Sequence, residues 1–366
     1  MGDNIKVKDL KKISKDSVLI YGGTLAPGDR ALFDSIYVDK ISFNIAVDEY
    51  PEYLVKHRYI RLIVKMFKAI KNLYKLPKRR KYYIANGGVV ALPILKTLGI
   101  IHGKVIPYVN TGLPFCLARG EGDINFLDKF ALSKADAFIS PGKMNVQILH
   151  QMFPKKPYIA AYASSFQNLK MRRRPKLNGH NILVIVGLLI HPNSNQFSPE
   201  RVHYKGLDLV TEAFLKLKKK IPDLKLYVVG QYNDEALAKL KVNKDMYFLG
   251  RVKNLSDAVE KCSVCVHMGR GDAFPVSVID ALSLGLPAIV SEYTGSKEIA
   301  QKVSHKMIVP LDSNALCDKL SWYFSLKPSE RLAMSKKGIK AAESVSAKKA
   351  TAKFKKDYVK LLNELK

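Results

Sequence analysis

Between residues 264 and 291 the chain runs from an apolar segment through a polar loop and a short helical pattern to a second apolar segment, Ala288-Ile289-Val290-Ser291, reached by the turn Gly285-Leu286-Pro287. Strand, loop, helix, turn and buried strand follow one another with almost no spare chain. That order points to parallel strands joined by a crossover helix. The same rhythm holds on both sides of a break. Before it, residues 17–21, 82–85, 105–109 and 137–140 read as strands between helical patterns. After it, 182–189, 224–230, 247–249, 264–268 and 307–309 read as strands, and 206–221, 256–262, 313–325 and 346–365 as helices. The break spans 169–181, where Arg172-Arg173-Arg174-Pro175 and Asn178-Gly179 end all periodicity. A chain of 366 residues also exceeds what one core usually supports. The expectation is an α/β protein with a Rossmann-like domain at 1–169, a linker at 170–181, a second such domain at 182–345 and a closing helix at 346–366.

Two carboxylates mark the loop-to-helix element. Asp272 falls in the loop after the strand at 264–268, and Asp280 about two turns into the helix that follows. At ~100° per residue the two face roughly the same side, toward one pocket. The competing reading is a first-turn acid placed by the helix dipole and a solvated helix acid. Upstream, Lys205-Gly206 opens a helix. Gly22-Gly23 and Gly87-Gly88 each follow a strand, where bare backbone can approach a ligand and where turn geometry alone also favours glycine.

The segment from Gly271 to Ser291 resembles the signature of the GT-B glycosyltransferases of family 4, in which two glutamates separated by seven residues precede a small-residue turn, a proline and a buried strand. Here both glutamates are aspartates. The resemblance is good over 180–345 and rests on strand-helix rhythm alone over 1–165. It implies two Rossmann-like domains with parallel sheets facing across a cleft, the final helix crossing back onto the first domain through Phe354, Tyr358, Leu361 and Leu365. It places Asp272 on donor-sugar hydroxyls and Asp280 on the nucleotide ribose. The backbone of Phe274, Pro275 and Val276 lies along the sugar, Arg251 shapes the base pocket, and Lys205 meets the donor diphosphate. Gly22, Gly23 and Gly187 belong to the same donor site, and Asn110 stands near the reaction centre, with Glu121 and Asp123 toward an acceptor. The family's arginine after the first strand of the second domain is absent, Leu188 standing there, and the loop at 190–204 is long; Arg201 or Arg270 is the substitute cation. No metal or other cofactor is implied.

The chain carries 61 Lys and Arg against 32 Asp and Glu, a formal net charge of +29. Such an excess suits polyanionic partners, or else a lysine-rich surface with none. Residues 53–80 read as a helix with Arg58, Arg61, Lys65, Lys68, Lys71 and Lys75 on one face and Tyr59, Leu62, Ile63, Met66, Phe67, Ile70, Leu73 and Tyr74 on the other, followed by Lys78-Arg79-Arg80-Lys81. That is the profile of a helix in an anionic membrane interface; the alternative packs the apolar face on the sheet. Recognised nucleic-acid-binding signatures are missing. No apolar run reaches ~18 residues and the first twenty residues do not read as a signal peptide, so the expected location is cytoplasmic, peripheral at the inner face of the membrane. Cys262 and Cys265 form a lone C-x-x-C, with Cys116 and Cys317 apart, against a disulfide framework. Eight histidines show no metal-ligand spacing.

Together these readings give a retaining glycosyltransferase moving a sugar from a nucleotide-sugar donor to a glycan or lipid-linked acceptor. A nucleotide-sugar epimerase of the same fold and a non-catalytic polyanion- or membrane-binding protein are the alternatives.

Overall fold

The computed structural model describes residues 10–11, 14–22, 27–43, 58–109, 126–163, 169, 173–188, 199–233, 238, 240 and 242–366. The chain divides into two compact units, Met1–Ser164 with Ala347–Lys366, and Ser165–Ser346.

In the first unit β1 (Ser17–Tyr21), β2 (Asp39–Ser42), β3 (Arg79–Ala85) and β4 (His102–Pro107) form a parallel sheet in the order β2-β1-β3-β4. A bridge from Tyr108 to Ile139 leads on to the parallel pair β5 (Phe138–Pro141) and β6 (Tyr158–Ala161). The chain reverses direction across the sheet between β1 and β3. Such a switch point leaves a crevice beyond the strand ends, and here Gly22 and Gly87 meet. A Cβ on Gly87 would fall 2.1 Å from the Gly22 nitrogen. Close contact between two backbones therefore explains Gly87 without a ligand. Gly23 and Asn110 lie outside the described residues, as do Glu121, Asp123 and Cys116.

The helix Ala347–Glu364 belongs to this unit. Phe354, Tyr358, Leu361 and Leu362 are buried in one core with Leu19, Phe33, Ile84 and Tyr108. Tyr358 Oη bonds to Ser17 Oγ at 2.6 Å, and Phe33 meets both Phe354 and Tyr108 edge-on.

The long helical reading at 53–80 stops short at its later end, and its residues 53–57 lie outside the described residues. The helix is Arg58–Asn72, a 3-10 turn covers Leu73–Lys75, and Arg79, Arg80 and Lys81 begin β3. Its apolar face is also divided. Leu73 packs against the buried cluster of Val18, Ile20 and Tyr83, and Leu76 joins that cluster. Ile63, Phe67, Ile70 and Tyr74, one stripe at helical spacing, are 51%, 69%, 60% and 78% exposed. Lys71 and Lys75 are exposed beside them and Lys68 is half-buried; the side chains of Arg61 and Lys65 lie outside the described residues. No described helix is long and apolar enough to cross a membrane.

The second unit carries β7 (Asn181–Leu188), β8 (Lys225–Gln231), β9 (Met246–Gly250), β10 (Val264–His267), β11 (Ala288–Ser291) and β12 (Ile308–Val309). All are parallel, in the order β12-β11-β10-β7-β8-β9. This is the doubly wound arrangement, with its switch point between β7 and β10. Every residue of β10 and β11 is buried, as befits strands covered on both faces. Helices Ser313–Ser325 and Pro328–Glu343 close the unit. Arg331, on a helix that periodicity did not reveal, is buried and donates to the carbonyls of Leu177 and Gly179 at 2.7 and 3.0 Å. The later part of the expected linker is thus tied to this unit.

Phe354→Ala should cost the first unit roughly 3–5 kcal/mol, the usual range for emptying a buried aromatic site. Urea unfolding of the full chain, followed by a probe in that unit, checks this; an unchanged midpoint would place Phe354 outside the core.

Candidate active site

The site grows from the strand ends at the second unit's switch point. β10 ends on His267, and the chain then forms a loop that reaches the helix Val276–Ser283 only after Pro275. Asp272 sits in this loop and Asp280 lies one turn into the helix, closer to its start than the two turns read from sequence. Both are buried, 8% and 9% exposed.

The loop is stitched to two neighbours, largely by backbone. Gly271 N donates to Tyr293 O at 3.1 Å, and Gly295 N to Asp272 O at 2.8 Å. Gly295 fits so tightly that a Cβ there would lie 1.6 Å from the Ala273 carbonyl oxygen. On the other side Arg270 N donates to Tyr204 O at 2.9 Å. The stretch at 190–204 is not all loop, because Pro199–Lys205 is a helix of its own. Lys205 therefore closes one helix, and Gly206, at φ +70°, caps the next, Leu207–Lys218. A Cβ on Gly206 would stand 1.9 Å from the Met268 carbonyl oxygen. Only glycine lets the helix break press against the end of β10.

That contact brings Lys205 to Asp272. Nζ donates to Oδ2 at 2.6 Å, with the lysine side chain 28% and the aspartate 12% exposed. His267 Nε2 lies 3.2 Å from the same oxygen but is poorly aligned for a hydrogen bond. Burial pushes the Asp272 carboxyl up, yet the Lys205 charge and the His267 ring outweigh it and hold the group well below the usual carboxylate range. Asp272 is an ionised, buried carboxylate. His267, 2% exposed at the end of a strand read only as apolar, was missed by the sequence reading.

Arg270 is not a spare cation. Its guanidinium grips both oxygens of Asp208 at 2.9 Å and also donates to the His203 carbonyl, fixing the first turn after Gly206. The side chain of Arg201 lies outside the described residues.

A second group of residues gathers at the ends of β7, β8 and β9. Gly187, Arg251 and Asp280 line one open pocket of about 390 Å³ together with Gly230, Gln231 and Ser277. Gly187 has φ +72° with open space where a Cβ would be. The β7–β8 register shifts at this point, and a Cβ on Gly230 would meet the Gly187 carbonyl oxygen at 2.7 Å. Gln231 and Ser277 had no motif to announce them. Phe274 and Pro275 are buried in the loop and Val276 is half-buried at the helix start. Gly22 lies in the first unit. Cys262 and Cys265 are buried, and burial pushes the Cys265 thiol up to about 12 and that of Cys262 higher still.

Residues 197–325 match the family model of the glycosyl transferases, group 1. The fold is GT-B. An uncharacterised glycosyltransferase of Haemophilus influenzae is 30% identical over 121 residues, 32% of this chain and 32% of that protein. Another, from Methanocaldococcus jannaschii, is 31% identical over 101 residues, 26% of this chain and 25% of that protein. The chain thus spans a third or less of these curated relatives. Among solved structures, HepE of Anabaena in complex with UDP and glucose superposes with a TM-score of 0.62 at 12% identity, over 95% of this chain and 100% of that one. The trehalose-6-phosphate synthase OtsA gives 0.66 at 10% identity, over 96% and 99%.

Because the folded Asp272 carboxyl is depressed below its unfolded value of about 3.9, its ionised form stabilises the fold fully above that value. The contribution disappears as pH falls through the folded value. The urea midpoint of the wild type should therefore exceed that of Asp272→Asn by more at about pH 7 than at about pH 3. A gap independent of pH would show that the ionised carboxylate contributes nothing.

Proposed function

We propose that the chain is a retaining glycosyltransferase that moves a sugar from a nucleotide-sugar donor to an acceptor hydroxyl. The observation that carries this reading is the Lys205–Asp272 pair at the switch point of the second unit, within the segment that matches the family model. A departing diphosphate needs positive charge and oriented donors. Lys205 gives one N–H to Asp272 and keeps two for phosphate oxygens. Asp272 stays ionised beside it and accepts from donor-sugar hydroxyls, while the backbone of Phe274, Pro275 and Val276 lies along the sugar, with N–H groups at Phe274 and Val276 alone because proline has none. Asp280, with Gly187 and Arg251, receives the ribose and base. Each aspartate is one methylene shorter than the family's glutamate, about 1.5 Å, and a bridging water or a closer backbone makes up the difference. Lys205 and the amides supply the charge that a metal would otherwise bring, so turnover should persist in EDTA.

Lys205→Met should lower transfer by about ten- to a hundredfold, equivalent to roughly 1.5–3 kcal/mol of charge-assisted bonding. Unchanged turnover removes Lys205 from the site. A thermal-shift screen against UDP, GDP, ADP and their sugars fixes the nucleotide, since a ligand bound only by the native state raises its stability. HepE, whose structure holds UDP and glucose, makes UDP the first to try. Consumption of donor without any acceptor would favour an epimerase.

The acceptor is proposed to be lipid-linked or membrane-associated, with the protein peripheral at the inner face of the membrane. The exposed stripe of Ile63, Phe67, Ile70 and Tyr74 supports this, flanked by Lys71 and Lys75. Burying such side chains contributes about 1.5–3 kcal/mol each, and each lysine near an anionic surface about 1 kcal/mol. Phe67→Ser with Lys71→Glu and Lys75→Glu should abolish co-sedimentation with anionic vesicles and leave melting unchanged. Wild-type sedimentation by that variant ends the interfacial reading.

A further inference from the structure

The first unit holds a large pocket at the edge of its sheet opposite Gly22 and Gly87. About 1080 Å³ in volume, it opens where β3 and β4 begin and where the helix Ala347–Glu364 ends. Among the described residues, six lysines and arginines line it against one acid, Asp16.

Three of those cations are already engaged. Arg80 is held by Asp39 at 2.8 Å and by the Lys15 carbonyl at 2.7 Å. Lys81 meets Asp16 at 2.8 Å. Lys96 takes Asp136 at 2.6 Å, which leaves Lys104 at 3.7 Å from that carboxylate. Arg79 and Lys366 have no ion pair among the described residues and Lys104 only shares Asp136 with Lys96, so the start of β3, the start of β4 and the end of the last helix each bring an under-neutralised cation to one concavity. Like charges gathered this way repel one another, and an anion that spans them relieves the repulsion. A single phosphate fills little of so wide a pocket; a run of them reaches cations on separate elements. The floor is apolar, made by Tyr82, Leu362 and Leu365, and is fixed where Tyr82 Oη donates to the Leu362 carbonyl at 3.3 Å.

We propose that this pocket is a second ligand site, which binds a chain of two or more phosphates, either free or esterified to an uncharged body that rests on the Tyr82–Leu365 floor. It is separate from the donor site and does not depend on the reaction proposed above.

Calorimetric titration of the full chain with tripolyphosphate at low salt tests this. Binding is expected in the wild type and equally in Lys205→Met, which removes the donor-site cation. It should weaken about tenfold in Arg79→Glu/Lys104→Glu and fall with added salt. Both side chains reach solvent, so that variant should melt as the wild type does; should it unfold, Arg79→Gln/Lys104→Gln replaces it. Displacement by vesicles carrying diacylglycerol pyrophosphate would assign the phosphates to a lipid headgroup, and lack of displacement to a soluble chain. No heat with the wild type, undiminished affinity in both double variants, or loss of binding in Lys205→Met would overturn the proposal.

Discussion

The ion pair between Lys205 and Asp272 exists because two backbones touch. Gly206 lies so near the Met268 carbonyl that no side chain fits between them, and this closeness sets the lysine over a loop it does not otherwise contact in sequence. A buried carboxylate is expensive to keep ionised without a partner. Here the partner is delivered by the fold itself, through a left-handed glycine between two helices, with Arg270 and Asp208 locking the turn from the other side. The charge that the chemistry uses is thus a consequence of chain geometry more than of side-chain reach.

Much of this architecture could be read from the sequence, because parallel strands buried on both faces appear as continuous apolar runs. β1 and the helix Ser313–Ser325 fall where periodicity put them, and the others lie within a few residues. Elements with weak patterns were lost. β2 is a short, largely exposed edge strand, the helix Pro328–Glu343 has little amphipathic contrast, and Pro199–Lys205 hides in a segment without apolar spacing. The long helix was overextended because the run of lysines and arginines carries on past Pro77, the breaker that separates the helix from β3.

Within the candidate site, residues carried by a motif were legible and residues carried by topology were not. Asp272, Asp280 and Lys205 stand in recognisable contexts. His267, Gln231 and Ser277 reach the site only because their strands end and their helix begins there, which one-dimensional spacing does not record. Arg270 shows the converse: a cation well placed in sequence is occupied by Asp208 in space.

The first unit is discontinuous. Its core is completed by Phe354, Tyr358 and Leu361, which follow the entire second unit along the chain. During synthesis, residues 165–346 are all made before that core can close, so the later unit has its full complement of contacts available first. The usual vectorial order, in which amino-terminal structure matures earliest, is inverted here, and the opening strand β1 waits on a hydroxyl, that of Tyr358, from the far end of the polypeptide.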